Sequence, residues 1–364
     1  MKAVIAARLK GSRRTQKMAC LSSAIILPFL FGFAALQSAQ AQTIAATNSS
    51  TSSERPADPI GMSPSMYGAP DPISATPEPG PDWNLAPTAP YQRPLPGPPQ
   101  PDAPSIAIDE RRYASFGSQM NTVKWEVAGL AAYMTAINAG KVIKDPQSFR
   151  FHNEGWFGKS TSNVGVDKFT HAYNSYLIAE FLHTRINRRT DGASGGALTA
   201  ALLASGLMIY SELYDAHEAT SGFSVQDVIA NTAGAGFSLL RNTVPGLKEK
   251  LDFRLLLMPN SDIYTFEGKR HFAQQRFLFA LKLSGFEKLE NSPLRFVEIH
   301  AGYYARGFTA QDRARGKEPQ RKPFVGVGLN LRELFFKNPS SGLGRTAGGV
   351  LEYLQVPYTA IHVD

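Results

Sequence analysis

Three short runs in this chain put charge where apolar helices resist it. They read Asp167-Lys168-x-x-His171, Ser211-Glu212-x-x-Asp215 and Gly222-x-Ser224-x-x-Asp227-x-x-x-Asn231-x-x-Gly234. An amine, an imidazole and several carboxylates within reach of one another can exchange protons, lock two helices together or hold a charged ligand. Which of these happens depends on the elements that carry them.

Apolar periodicity predicts four helices, near residues 118–139, 167–187, 196–215 and 225–240. Lys168 falls in the first turn of the second, where the helix dipole disfavours a cation, and Glu212 and Asp215 fall in the last turn of the third, where it disfavours anions. Both misplacements are relieved if the groups face each other. The short link 188–195 makes these two helices an antiparallel hairpin, so the start of one lies beside the end of the other. The link 216–223 starts the fourth helix at that same end, and the link 140–166 returns the first helix there with the run Glu154-Gly155-Trp156-Phe157. Asp167, Lys168, His171, Glu212, Asp215, Asp227 and Asn231 are therefore expected to share one layer.

Each of these residues also has a purely structural reading. Ser224 with Asp227 fits a helix cap. Lys168 with Glu212 fits an ion pair that sets helix register, and Gly234 and Gly236 fit close helix contact. A hydrogen-bonded core histidine is an equal reading of His171. As a ligand site, Lys168 and His171 would hold an anionic head group while Glu212 and Asp215 set their orientation and charge. His171 with Glu212, Asp215 or Asp227 has the donor types for a divalent cation, but the Lys168 amine opposes one, so neither a metal nor a cofactor is assigned. No P-loop or His-Glu-x-x-His is present to name a reaction.

After Pro245-Gly246 the apolar period changes to two. Runs at 251–258, 276–283, 294–304 and 324–331 read as strands, and in the last Val325, Val327, Leu329 and Leu331 alternate with Gly326, Gly328, Asn330 and Arg332. The expected architecture is α+β, a four-helix bundle followed by an antiparallel sheet of four or five strands packed on it. Aromatic residues near strand ends (Tyr303, Tyr304, Phe335 and Phe336) also suit strands that meet an outer membrane.

The ends of the chain place it in the cell. Lys2, Arg8, Lys10, Arg13, Arg14 and Lys17 precede the apolar stretch 21–36, and Ala39-Gln40-Ala41 is a small-residue cleavage site, so residues 1–41 read as a signal peptide. Without these six cations the net charge of +8 falls to about +2, which leaves no basic stripe for nucleic acid. Cys20 is the only cysteine and lies in this leader, so the exported chain has no thiol for disulfides, metal or catalysis. Residues 42–110, rich in Ser, Thr and then Pro, read as a disordered linker. Residues 111–246 form the expected helical domain, and 247–364 the β region.

The charged runs resemble the YfiM-like predicted periplasmic lipoproteins over about residues 165–236. Asp167-Lys168-x-x-His171, Glu212-Leu213-Tyr214-Asp215, Gly222-Phe223-Ser224-x-x-Asp227 and Asn231-x-x-Gly234 carry the likeness. The Asp-Lys-x-x-His and Asp-x-x-x-Asn-x-x-Gly elements are more loosely similar to VanZ-like membrane proteins. The first resemblance implies an envelope location and no particular activity. This chain departs from it in Ser211, where a lysine often stands, and in lacking a lipid-attachment cysteine motif. The expected function is an exported envelope protein, in the periplasm or at the outer membrane, that binds a lipid, glycan or protein partner without catalysis. The alternative is a hydrolase or transferase acting on an anionic envelope substrate through His171 and its carboxylates.

Overall fold

The computed structural model describes residues 110–144, 146–218, 221–258 and 268–364. The expected signal peptide, and the linker up to residue 109, lie outside the described residues. A short helix α1 (Phe116–Thr122) is capped by Ser115 and leads directly into α2 (Lys124–Lys144). Three long helices follow: α3 (Val166–Arg189), α4 (Gly196–Asp215) and α5 (Val225–Thr243). The single turn α6 (Leu247–Lys250) hands the chain to the sheet.

Local chemistry sets these boundaries. Gly165 begins α3 at φ 82°, and a side chain there would also strike the Phe157 ring. Arg188 and Arg189 close α3 where the dipole welcomes cations. The Ser224 hydroxyl accepts the Asp227 N–H at 3.2 Å and so starts α5.

The expected bundle needs a correction. Helices α3, α4 and α5 pack on one another, whereas α2 lies against α4 and, with Val123 just before it, contributes Leu130 and Met134 to a core with Leu182, Ile186, Leu207 and Met208. The small residues Ala179, Ala201, Ala204 and Ala235 let the three central helices approach closely. At Gly234 an added Cβ would fall 1.8 Å from the Ala172 carbonyl oxygen, so α3 and α5 touch backbone to backbone.

The sheet differs from expectation more. It has six strands rather than four or five: β1 (Leu251–Leu257), β2 (Gln275–Lys282), β3 (Val297–Arg306), β4 (Gln320–Leu329), β5 (Leu354–Gln355) and β6 (Ala360–Val363). Their order is β5-β1-β2-β3-β4-β6, antiparallel except for the parallel pair β1–β5. The two added strands are two and four residues long, too short to leave a period-two signal. Short helices α7 (Ala310–Ala314), α8 (Leu331–Phe335) and α9 (Gly342–Val350) fill the connections.

The connectivity curls this sheet. Strands β5 and β6 lie on opposite edges, yet only residues 356–359 join them. Five strand spacings of about 4.8 Å would separate the edges of a flat sheet by about 24 Å. The short link spans at most about 18 Å even fully extended. The edges must therefore bend toward each other, giving the sheet an inside and an outside.

The two faces have unusual chemistry. On the outside, Phe253, Leu255, Phe277 and Tyr303 pack beneath Phe169, Tyr173, Tyr176 and Phe237 of the helices, with Phe253 and Phe279 stacked at 4.8 Å. One core thus joins helices and strands. The inside carries Leu256, Leu278, Ala280, Tyr304 and Phe324, but also the buried side chains of Asp252, Arg254, Lys282, Glu298 and His300. Gly326 and Gly328 face inward because the histidines need the space: a Cβ on Gly328 would sit 2.4 Å from the His300 ring. Val325 and Val327 consequently point out, over a part of the sheet that the helices do not cover.

Candidate functional site

The beginnings of α3 and α5 and the end of α4 converge, as the hairpin argument requires. Lys168 is the centre of the first group. Its ammonium donates to Glu154 at 2.6 Å and to Asp227 at 2.8 Å, and Asp167 lies 3.1 Å away. Only 3 % of its side chain is exposed. Burial opposes this charge, but Asp167, Asp227 and Glu154 outweigh it and hold the amine's pKa above its usual value.

His171 forms the second group, one turn further along α3. Its Nδ1 lies 3.4 Å from Glu212 Oε1 and its Nε2 lies 3.6 Å from Asp227 Oδ1. A quarter of the ring is exposed, but Nδ1 itself is sealed from solvent and makes no hydrogen bond; the same is true of Glu212 Oε1. Burial opposes a proton on His171, yet Asp227 and Glu212 prevail and push its pKa up to about 9. Burial also pushes the Glu212 carboxyl up to about 8 against the pull of His171, with Asp215 and Asp227 adding to the rise.

Five of the seven expected residues thus meet directly: Asp167, Lys168, His171, Glu212 and Asp227. Asp215 is near enough to act on the charge of Glu212. Asn231 lies deeper, fully buried, with its Oδ1 accepting from Ser175 at 3.2 Å and its amide nitrogen without a hydrogen bond. One expected pairing is wrong. Lys168 does not pair with Glu212; it takes Asp227, Glu154 and Asp167, and Glu212 faces His171 instead.

Glu154 is the member that residue spacing missed. It arrives on the loop between α2 and α3, which is tied to the loop before α5 by the Phe151–Phe223 bridge and by Arg150, whose guanidinium donates to the Ser221 and Glu218 carbonyls. Its only trace in the sequence is its place in the run expected at this end of the bundle.

A second buried ionic network escaped sequence reasoning altogether. Arg241 near the end of α5 donates to Glu180 at 3.0 Å, Asp252 at 2.8 Å, Glu352 at 3.0 Å and the Leu251 carbonyl at 3.1 Å. Arg254 spans Glu298 and Asp252, and Lys282 donates to Asp252 at 2.6 Å. This network joins α3 and α5 to the inside of the sheet. The alternation of Asp252 and Arg254 with Phe253 and Leu255 was the available signal.

The geometry restricts the chemistry. The Lys168 ammonium donates to Glu154 and Asp227 and lies 3.1 Å from Asp167, so carboxylates already surround the amine that was expected to hold an anionic head group. His171 as an imidazolium is a poor general base at neutral pH, which weighs against hydrolysis by a His–carboxylate pair. Carboxylates outnumber cations in the layer, and positive charge is what it can accommodate.

Residues 153–243 match the family model described as "Predicted periplasmic lipoprotein (DUF2279)", a span that contains every residue of this layer. No curated protein and no solved structure matches the chain. The location is the cell envelope, periplasm or outer membrane, in keeping with that description.

Proposed function

We propose that this exported envelope protein docks peripherally on an anionic lipid surface through the uncovered outside of its curled sheet, and that it does so without catalysis. One observation carries the reading: the sheet is charged inside and apolar outside. Val325, Val327, Ile361 and Val363 are 62 %, 55 %, 79 % and 70 % exposed, and Phe279, Ile299 and Leu329 continue the patch. Strand register places them side by side, with Val325 opposite Val363, Val327 opposite Ile361 and Ile299, and Leu329 opposite Val297. A water-facing sheet alternates the other way, and contiguous apolar patches on soluble proteins mark contact surfaces.

Charge favours lipid as the occupant. The hairpin joining β3 to β4 carries six cations and two acids between Arg306 and Lys322, and Arg321 projects from the apolar face itself. A basic rim beside an apolar face suits anionic head groups above acyl chains. Helix α4 is also long and apolar enough to cross a membrane, but it is largely buried and carries Glu212 into the polar layer, so a core role fits it better.

Flotation of the purified chain with phosphatidylethanolamine vesicles, with and without phosphatidylglycerol, tests this. The chain should float with the anionic vesicles, and Val327→Asp with Ile361→Asp should lower binding at least tenfold while circular dichroism stays unchanged. A Val327→Cys probe in a Cys20→Ser background should report an apolar setting when such vesicles are added. Failure to float, or a self-associated chain that the same two substitutions render monomeric, would overturn the reading, the latter in favour of a second copy on this face.

A further inference from the structure

We propose that His171, Glu212 and Asp227 form a binding site for one divalent transition-metal ion, of the zinc or manganese class. Each comes from a different helix, and one ligand atom from each lies within 4.8 Å of the others. Convergence from three helices gives a rigid frame of the kind that inward-facing His and carboxylate ligands use in helical proteins.

The decisive detail is a contact that is close but not bonded. His171 Nδ1 and Glu212 Oε1 stand 3.4 Å apart, both sealed from solvent, and neither has a hydrogen-bond partner. A buried carboxylate oxygen without a donor is costly, and polar atoms so placed call for a missing partner. Two ligands that share an ion at about 2.1 Å, in tetrahedral geometry, stand about 3.4 Å apart. The observed separation fits two ligands around one ion at Nδ1, and Asp227, which lies 3.6 Å from the opposite ring nitrogen Nε2, would complete the set by turning a carboxylate oxygen toward that ion. The exposed quarter of the His171 ring marks an entry path.

The surroundings complete the case. Lys168 would repel a cation if its charge were free, and for that reason the sequence alone argues against a metal here. In the folded chain Glu154 and Asp167 also embrace the amine, so its field is offset locally and Asp227 is held in place by its 2.8 Å bond. Glu154, Asp167, Glu212 and Asp227 thus bring four carboxyl groups to one ammonium and one imidazole, an acidic excess that a dication relieves. One imidazole nitrogen with carboxylate oxygens suits zinc or manganese better than the all-oxygen shells of calcium.

This inference does not depend on lipid docking, and its test uses no lipid. The chain, freed of metal by chelator and of any affinity tag, is titrated calorimetrically with ZnCl2, MnCl2 and CaCl2. One transition-metal ion per chain should bind with a micromolar or lower Kd, and calcium at least 100-fold more weakly. Glu212→Gln and His171→Asn should each weaken binding at least 100-fold with unchanged circular dichroism. Cobalt absorption offers a second reading, since visible bands should appear in the parent chain and vanish in both variants. His300 Nδ1 and His362 Nε2 are 3.0 Å apart and form the obvious competitor. Absence of stoichiometric binding, or binding abolished by His362→Asn and indifferent to His171→Asn, would overturn the proposal.

Discussion

Replacing Arg241 with methionine should reveal what the buried ionic network contributes. The side chain is fully buried, and the substitution removes four hydrogen bonds: to Glu180, Asp252, Glu352 and the Leu251 carbonyl. The stranded carboxylates do not suffer equally. Asp252 keeps Lys282 and Arg254 at 2.6 Å each, and Glu352 keeps Arg332 at 2.6 Å. Glu180 is left with the neutral donors Ser238, Asn242 and Tyr353, and with a Lys248 that is 3.6 Å away and partly in solvent. The cost is thus mainly that of one orphaned buried charge, about 3–5 kcal/mol. Over a folded region of this size it should lower Tm by roughly 10 °C. Urea unfolding followed by circular dichroism measures it, with an unchanged m-value as the check that the unfolded state is the same. Removing the orphan as well, in Arg241→Met with Glu180→Gln, should restore at least half of the loss. A single variant that loses less than about 1 kcal/mol, or a double variant no better than the single, would refute this account of the network.

Other perturbations follow from the same contacts. Lys168→Met should destabilise by about 3–5 kcal/mol, because Asp227, Glu154 and Asp167 lose their shared cation, and Lys168→Arg should recover part of it; both are read from urea midpoints. Burial opposes ionisation of Asp252, but Lys282, Arg254 and Arg241 outweigh it and hold its pKa at about 2. A depressed carboxylate stabilises above its unfolded pKa near 4, and that stability is lost as pH falls from about 4 through about 2. Thermal melts across that range should show a loss on the order of 2 kcal/mol, much reduced in Asp252→Asn after allowance for that variant's lower baseline. Gly234→Val should lower Tm sharply by forcing α3 and α5 apart at Ala172, whereas Gly236→Ala, which meets no atom within 4 Å, should not.

The helices were legible in the sequence because long apolar periods end at strong signals: Gly195 and Gly196 at the start of α4, Ser224 at α5, Pro245 after it. The meeting of their charged ends followed from link lengths alone. Charge partners did not, since linear spacing cannot tell whether Lys168 turns to Glu212 or to Asp227, nor that a loop delivers Glu154. Strand positions were readable, but the direction of the alternation was not. Val325 and Val327 look like a core-facing set until register puts Gly326 and Gly328 against His300 and His362, which sends the valines outward. The Arg241 network joins residues 180, 241, 252 and 352, and no local pattern connects positions so distant.

The placement of β5 and β6 orders events during export. Segment 354–363 supplies both margins of the sheet, so β1 and β4 have raw edges until that segment has been synthesised and delivered across the inner membrane. A chain emerging amino end first can assemble its helical hairpin early, yet it must wait with two unpaired strand borders and its ionic interior open to water. Such an intermediate invites pairing with neighbouring chains. The late segment therefore acts as a clasp that closes both margins of the sheet together.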